Sequence, residues 1–168
     1  AVPGHDMEAL GYYNPEKRIL ISGDALWENG FGVIFPELLG EADGLAWTRL
    51  TLDMLARLPI DIVIPGHGSP FTTVDAAFER AFRRLEMFTA GIDKLAWHAI
   101  KVIVSFAMLE RRQLPVADFP AFVLSLPFAV DVNARYLNLT DDQLIERIQR
   151  ELLLVNALKR EGALIKAG

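Results

Sequence analysis

The pattern of apolar and polar residues in the first half of the chain predicts short strands that alternate with helices. Residues 12–13 and 18–22 are β-prone runs with the turn signal Asn14-Pro15 between them, so we expect two adjacent strands. A third strand is predicted at residues 62–64, where three β-branched residues precede the turn at residues 65–68. With the helices between and after them, these strands indicate an α/β layer structure.

Two amphipathic helices are predicted on either side of the third strand. From residue 43 to residue 58 leucines recur at roughly helical spacing, and Pro59 ends the pattern. From residue 74 to residue 88 apolar residues fall at steps of three and four, and Thr72 with Asp75 predicts a capping box in front of them. We interpret the opposite face of this second helix as solvated; it carries Arg80, Arg83 and Arg84 interrupted by Glu79 and Glu86.

Helical spacing dominates after Gly91, and we place a domain boundary there. Helices are predicted over residues 93–112 and 117–126, and a last helix extends to about Lys159. The tail at residues 162–168 predicts one short strand. Residues 1–91 and 92–168 are therefore expected to form an α/β domain and a small, mainly helical domain.

The last predicted helix has a clear start signal. Thr140 and Gln143 have the spacing of a capping box, in which each side chain bonds the other residue's backbone N–H. We therefore expect the helix to begin directly after Thr140.

Composition limits the functions that this chain can have. The 168 residues suffice for one domain or two small ones, and a hydrophobic fraction of 52% provides a buried core. The formal charge of -5 argues against attraction of the whole chain to nucleic acid or to anionic membranes. The N-terminus lacks a signal-peptide pattern, and His98 and Lys101 interrupt the apolar stretch at residues 96–109. We expect a soluble, cytoplasmic protein without a membrane partner.

Three turns place a polar side chain directly after a glycine. They are Pro3-Gly4-His5, Gly23-Asp24 and Pro65-Gly66-His67, and the last two follow predicted strands. Glycine leaves space around its neighbour, which suits an ion or a substrate that approaches the strand ends. Because the chain has no cysteine, a bound metal must be held by histidine and carboxylate ligands. His5, Asp24 and His67 are the candidate metal ligands.

Several of these residues have a purely structural alternative. His67 can cap a strand-end turn through hydrogen bonds, and Asp24 can serve as a helix N-cap or turn residue. Trp27 and Phe31 follow Asp24 in a predicted loop that extends to residue 42, where they either line a substrate pocket or pack beneath the loop. His98 falls within a predicted helix and is given no metal role.

The three turns occur in an order that resembles a known family. Pro3-Gly4-His5, the run Ile-Leu-Ile-Ser-Gly-Asp at residues 19–24 and the run Ile-Val-Ile-Pro-Gly-His-Gly at residues 62–68 resemble the metallo-β-lactamase-fold hydrolases. The resemblance covers residues 1 to about 91 and implies part of an αββα-type layer structure. It also implies that His5 binds a first metal, that Asp24 bridges two metals and that His67 binds the second, with zinc as the expected metal.

The chain also departs from that family. The His-x-His-x-Asp-His motif that supplies the remaining ligands is absent, and residues 6–9 differ from the small turn usual after the first histidine. We therefore expect the chain to be the C-terminal half of such a hydrolase, inactive and weak in metal binding when alone. A sheet without its first half is expected to expose an apolar patch around residues 62–64 or to pair with another copy.

The resemblance implies a hydrolase with a small-molecule substrate. By that resemblance, two metal ions in the complete enzyme would supply a hydroxide near neutral pH for attack on an ester, thioester, lactone or lactam bond. Two alternatives stay open: a non-catalytic module for protein association, and an RNA-processing nuclease of the same fold.

The helical second half resembles the winged-helix-like module that some members of this family carry. A nucleic-acid role would need a basic stripe, yet residues 141–168 hold five basic and five acidic side chains. We therefore favour a packing, lid or homodimer-contact role over binding of nucleic acid.

Overall fold

A computed structural model describes residues 1–41 and 43–168 of the chain. The described residues divide into two compact units, Ala1–Leu95 and Ala96–Gly168. Each unit contains its own three-stranded sheet and its own helices. The α/β class predicted from the sequence is confirmed.

The sheet of the first unit forms from the three predicted strands. β1 (Tyr12–Asn14) pairs antiparallel with β2 (Ile19–Gly23), and β2 pairs parallel with β3 (Ile62–Pro65), which gives the order β1-β2-β3. On the side of β3 that faces away from β2, Val63 exchanges two backbone hydrogen bonds with Phe71, at 2.9 and 3.0 Å. Because β2 and β3 are parallel, the turns that follow them lie at the same end of the sheet, next to the carboxyl ends of both strands.

Helices of the first unit lie between and after these strands. They are α1 (Phe35–Leu39), α2 (Gly44–Leu55) and α3 (Val74–Thr89), and α4 (Ile92–Arg111) begins in this unit and continues into the second. The short α1 corrects the prediction of a loop over residues 28–42. Pro36 stands in its first turn and Gly40 ends it with a left-handed φ of 72°, so both residues favour a short helix at these positions.

One face of this sheet belongs to the core. Leu20 and Val63 pair in register and are fully buried, with 1% and 0% of their surface exposed. Most of the predicted apolar stripe of α3 is buried as well, including Ala77, Ala81 and Leu85. Burying alternate strand residues against a helix stripe is the arrangement that the sequence pattern predicts.

The opposite face of the sheet exposes apolar side chains. Tyr12, Ile21 and Ile64 lie in one register row, and 63%, 47% and 38% of their surfaces are exposed. We call this row the exposed sheet face. It corresponds to the apolar patch that we expected near residues 62–64. A sheet with apolar side chains on both faces is normally covered on both faces, and this face is uncovered in the described residues.

The start of α3 differs from the prediction. Its N-cap residue is Thr73, and no side chain caps the helix, so the predicted capping box of Thr72 and Asp75 is wrong. The Thr73 hydroxyl instead donates to Glu28 Oε1 at 3.2 Å. A contact with a distant loop has replaced the local cap.

The second unit contains three strands where one was predicted. β4 (Gln113–Pro115), β5 (Leu158–Glu161) and β6 (Leu164–Ala167) form an antiparallel sheet in the order β4-β6-β5. The predicted tail strand corresponds to β6, whereas β5 occupies residues that the sequence assigned in part to the last helix. Asn156 takes a left-handed φ of 57°, which ends the helix before β5.

The helices of the second unit are α4, α5 (Phe119–Leu124), α6 (Pro127–Val132) and α7 (Asp141–Leu154). A 3-10 turn at Val116–Asp118 and a π-helical turn at Asn133–Leu137 connect them. The capping box of Thr140 and Gln143 is confirmed, with both hydrogen bonds present. The winged-helix-like assignment of this unit stays a prediction.

A polar cluster joins α4 to α7 within the second unit. Trp97 Nε1 and Lys101 Nζ donate to Glu151 Oε2 at 2.8 and 3.0 Å, and Arg147 Nε donates to Glu151 Oε1 at 3.1 Å. The Arg147 guanidinium also lies 4.0 Å from the centre of the Trp97 ring. Burial alone would raise the pKa of Glu151, but these three hydrogen bonds and the charge of Lys101 lower it to about 2.

No single helix in the described part of the chain is long and apolar enough to span a membrane. The segments 116–124 and 127–137 meet the length and composition test only as a pair, and that pair is bent by 70°.

Candidate metal centre

The candidate ligands lie on three turns, and a backbone hydrogen bond joins two of them. Asp24 follows β2 directly, and His67 lies two residues after the end of β3. Gly66 N donates to Gly23 O and Gly32 N donates to Asp24 O, both at 2.8 Å. The pairing of β2 with β3 therefore brings the predicted Asp24 and His67 turns together.

His5 reaches the same place from the N-terminal segment. Its Nδ1 atom lies 2.5 Å from the carbonyl oxygen of Val33, and its Nε2 atom lies 3.3 Å from Asp24 Oδ2. Thr51 Oγ1 donates to Pro3 O at 2.7 Å and anchors the backbone just before His5. The ring is thereby held between two fixed contacts, with 25% of its side-chain surface exposed.

Asp24 presents its other oxygen to His67. The Oδ1 atom lies 3.7 Å from His67 Nε2, and 54% of the His67 side chain is exposed. Each histidine therefore faces a different oxygen of one carboxylate. Such an arrangement gives Asp24 the geometry of a group shared between two ligand positions.

Close approach of these groups depends on two glycines. A Cβ atom at Gly66 would lie 2.6 Å from Asp24 Oδ1, and one at Gly32 would lie 2.7 Å from His5 Nδ1. Both distances are shorter than real side chains allow, so any larger residue would displace the ligands. Sequence analysis identified Gly66 but not Gly32, which stands outside the three turns.

The two aromatic residues predicted to line a substrate pocket have different environments in the structure. Phe31 is buried with 2% of its surface exposed and packs edge-on against Phe88, so the packing alternative describes it. Trp27 instead donates its indole N–H to Asp24 Oδ1 at 3.0 Å. Its ring also meets the His67 ring edge-on, with 5.2 Å between the ring centres.

The arginine face of α3 is not simply solvated, contrary to our interpretation of the sequence. Arg80 Nε donates to the backbone oxygen of Glu28 at 2.7 Å. The Arg84 guanidinium lies against the backbone of Gly30, and burial lowers the pKa of Arg84. These side chains hold the loop that carries Trp27.

A cavity of about 570 Å³ opens beside His5. It is lined by His5, Asp6, Met7, Glu8, Phe35, Pro36 and Glu41. Residues 6–8 belong to the segment whose departure from the family's usual turn was visible in the sequence. Its position against a candidate ligand makes the cavity a candidate approach route for a small substrate.

The donor atoms fit part of a metal site. Zinc bonds of about 2.0–2.1 Å to nitrogen and oxygen at a tetrahedral angle place two donor atoms about 3.4 Å apart. The separation of 3.3 Å between His5 and Asp24 agrees with this value, and that of 3.7 Å between Asp24 and His67 is slightly longer. Within residues 1–41 and 43–168, however, no group of three or more ligating side chains is arranged to hold one ion. Two donors for each position are fewer than the three or four that zinc takes from proteins.

Comparison with known proteins shows what the segment that carries these residues is similar to. Residues 1–67 match the family model described as Metallo-beta-lactamase superfamily. Over 79 residues, 46% of this chain, the sequence is 37% identical to a protein named hydroxyacylglutathione hydrolase from Bartonella tribocorum. The match spans 28% of that relative.

Two solved structures are similar over 99% of this chain. One is a metallo-beta-lactamase family protein from Thermus thermophilus, with a TM-score of 0.44 and 17% identity, of which the chain covers 48%. The other is a beta-lactamase domain protein from Burkholderia ambifaria, with a TM-score of 0.47 and 19% identity, of which the chain covers 46%. The chain thus spans about half the length of these two proteins.

The two-histidine, one-carboxylate arrangement lies within the segment that the family model matches. The segment 1–67, which carries His5, Asp24 and His67, matches the metallo-β-lactamase superfamily, as its motifs predicted. That family uses metal ions, and the matched segment ends at His67.

Proposed function

We propose that this chain is part of a metal-dependent hydrolase with a binuclear zinc centre. His5 and Asp24 would hold one ion, and Asp24 and His67 would hold the other. The bond cleaved would be an ester, thioester, lactone or lactam in a small molecule. The cytoplasmic location expected from the sequence stays a prediction.

The observation that carries this proposal is the position of Asp24. Its two oxygens face two different imidazole nitrogens at 3.3 and 3.7 Å. A carboxylate between two cations offsets their mutual repulsion, which a neutral residue could not do. The family match of residues 1–67 supports the same assignment.

The residues of this chain would orient the ligands, and the ions would supply an activated hydroxide near neutral pH. Val33 accepts from His5 Nδ1 and so leaves Nε2 directed at the first position. Because each position receives two donors, the remaining ligands would come from residues outside this sequence. We therefore expect the 168-residue chain alone to bind zinc weakly and to lack activity.

A thioester is the first substrate class to test. The relative from Bartonella tribocorum is named for hydrolysis of a hydroxyacylglutathione. The cavity of about 570 Å³ beside His5 has room for a small molecule. Three carboxylates line this cavity, so matched neutral, anionic and cationic substrates should be compared.

The test uses the protein expressed from its complete reading frame. Thioester, ester, lactone and lactam substrates are assayed before and after chelation and after zinc is restored. We expect hydrolysis of at least one class, loss on chelation and recovery with zinc. Asp24→Asn should lose the activity, whereas Asp53→Asn on α2 should keep it. Hydrolysis that survives chelation, or none with any class, would contradict the proposal.

The association alternative is favoured by one observation, the exposed sheet face. Tyr12, Ile21 and Ile64 form an apolar row that a second copy could cover. Sedimentation of the wild-type chain and of Ile21→Lys over a concentration series tests this alternative. Self-association that the substitution abolishes would support it, and identical monomeric behaviour of both would reject it.

A further inference from the structure

The loop that follows Asp24 is a tight turn with Trp27 at its start. Trp27 N donates to Gly30 O at 2.6 Å, and Gly30 N donates to Trp27 O at 3.3 Å. Glu28 and Asn29 form the exposed tip. We call residues 27–30 the tryptophan turn.

The tryptophan turn is attached to α3 by three side chains. Arg80 Nε donates to Glu28 O at 2.7 Å, and Thr73 Oγ1, at the N-cap of α3, donates to Glu28 Oε1 at 3.2 Å. The Arg84 guanidinium lies against the backbone of Gly30. A 16-residue helix is therefore the support for the turn, and its stripe of buried apolar residues fixes it to the core.

From this supported turn Trp27 reaches both predicted ligands of the second ion position. Its indole N–H donates to Asp24 Oδ1 at 3.0 Å, and Oδ1 is the oxygen that faces His67 Nε2 at 3.7 Å. The indole also contacts the His67 ring edge-on at 5.2 Å between ring centres. One rigid side chain thus touches both groups.

On the basis of the metal site proposed above, we propose that Trp27 is a positioning residue. It fixes the orientation of the Asp24 carboxylate and the His67 ring, and it thereby sets the ion position that these two residues share. This role replaces the substrate-lining role predicted for Trp27 from the sequence.

The chemistry of a carboxylate explains why such a residue is needed. The terminal torsion of aspartate has a broad, roughly two-fold preference, so Asp24 alone could rotate its oxygens away from the two histidines. An N–H donor on Oδ1 fixes that rotation and leaves further lone pairs of Oδ1 for another partner. Outer partners of metal ligands typically contribute about 10- to 100-fold in metal affinity.

The effect should differ between the two ion positions. His5 is held by its own contact with Val33 O at 2.5 Å, and that contact is independent of Trp27. Asp24 Oδ1 and His67 both contact Trp27. Loss of the indole N–H should therefore weaken the position of Asp24 and His67 more than that of His5.

The experiment compares Trp27→Phe, which keeps an aromatic ring but has no N–H, with the control Trp47→Phe on α2. Both are made in the protein expressed from its complete reading frame. The first readout is zinc bound per chain and the affinity of each ion. The second, which needs no metal, is the rate at which the Trp27 indole N–H exchanges with water in the wild type and in Asp24→Ala, which has no side-chain acceptor. This second readout does not require the Trp27 variant to fold.

We expect Trp27→Phe to lower the affinity for one zinc ion by about 10- to 100-fold and to lower the affinity for the other by a smaller factor. Asp24→Ala should speed exchange of the Trp27 indole N–H without affecting that of Trp47. Wild-type zinc affinities in Trp27→Phe, or an indole exchange rate that Asp24→Ala does not alter, would overturn the positioning role. If the wild type binds no zinc while the exchange response is as expected, the proposed function is overturned and the positioning of Asp24 by Trp27 is supported.

Discussion

His5 Nδ1 and the carbonyl oxygen of Val33 are 2.5 Å apart. A carbonyl oxygen only accepts hydrogen bonds, so Nδ1 must carry the proton in this contact. In a neutral imidazole the other nitrogen, Nε2, then has a free lone pair, and it is Nε2 that faces Asp24 Oδ2 at 3.3 Å. Val33 therefore selects the tautomer of His5 that leaves Nε2 available to a metal at the proposed position next to Asp24.

Substitution of Gly32 by alanine should disturb this arrangement. The added Cβ would lie 2.7 Å from His5 Nδ1 and 3.0 Å from Asp24 Cβ, so the two side chains would have to move apart. We expect zinc affinity to fall and stability to drop by about 1–3 kcal/mol, as for other overpacked sites. Zinc titration and thermal unfolding measure the two effects.

Gly40→Ala is the matched control for that substitution. Gly40 has a positive φ of 72°, but a Cβ atom there meets nothing within 4 Å. Its stability should fall by about 1 kcal/mol from backbone strain alone, with unchanged zinc affinity. Equal zinc affinities in Gly32→Ala and Gly40→Ala would contradict the steric account of the site.

Removal of Arg80 should loosen the tryptophan turn. Arg80→Ala deletes the donor to Glu28 O at 2.7 Å, whereas Arg83→Ala changes an exposed residue of the same helix. Hydrogen exchange of the Gly30 amide should become faster in Arg80→Ala by about 5- to 10-fold, the value of one net hydrogen bond, and stay unchanged in Arg83→Ala. The same exchange rate in both variants would show that Arg80 does not support the turn.

Glu151 should make the stability of the second unit depend on pH. Its folded-state pKa is about 2, below the ordinary value of 4.5, so the ionised form is the one favoured by folding. The stabilisation is present above about pH 4.5 and is lost as the pH falls towards 2. The full shift corresponds to about 3 kcal/mol, and solvent screening reduces this to about 1–2 kcal/mol.

The measurement is the free energy of unfolding of the wild type and of Glu151→Gln between pH 7 and pH 2. The difference between the two proteins should shrink over the acidic part of this range. Glu146→Gln is the control, because Glu146 lies 3.8 Å from Arg150 and 80% of its side chain is exposed. If the free energies of unfolding of the wild type and of Glu151→Gln differ by the same amount at every pH, the charge of Glu151 is not the cause of that difference.

Sequence pattern predicted the first unit better than the second. The stripe of α3 and the three strands of the first sheet followed from spacing because each buries one regular face. In the second unit β4 consists only of Gln113, Leu114 and Pro115, too short a run to show a period. Leu158 continues the spacing of the α7 stripe, so the sequence could not separate the end of that helix from β5 without the left-handed turn at Asn156.

For the candidate site, the sequence predicted the candidate ligands but not the residues that hold those ligands in position. His5, Asp24 and His67 were visible because each follows a glycine. Val33 contacts His5 across 28 positions of the sequence through its backbone oxygen. Because every residue type has a backbone oxygen, the sequence could not identify this contact. Trp27 was recognised as a residue near the site, but the direction of its N–H depends on a turn held by a distant helix.

The count of zinc ions per chain tests the central role of Asp24 most directly. It is measured after dialysis of wild type, Asp24→Asn and the control Asp53→Asn, each expressed from the complete reading frame. We expect two zinc ions in the wild type and in Asp53→Asn, and at most one in Asp24→Asn, since the amide carries no charge to offset two cations. Two ions retained in Asp24→Asn, or none in the wild type, would contradict a shared carboxylate between His5 and His67.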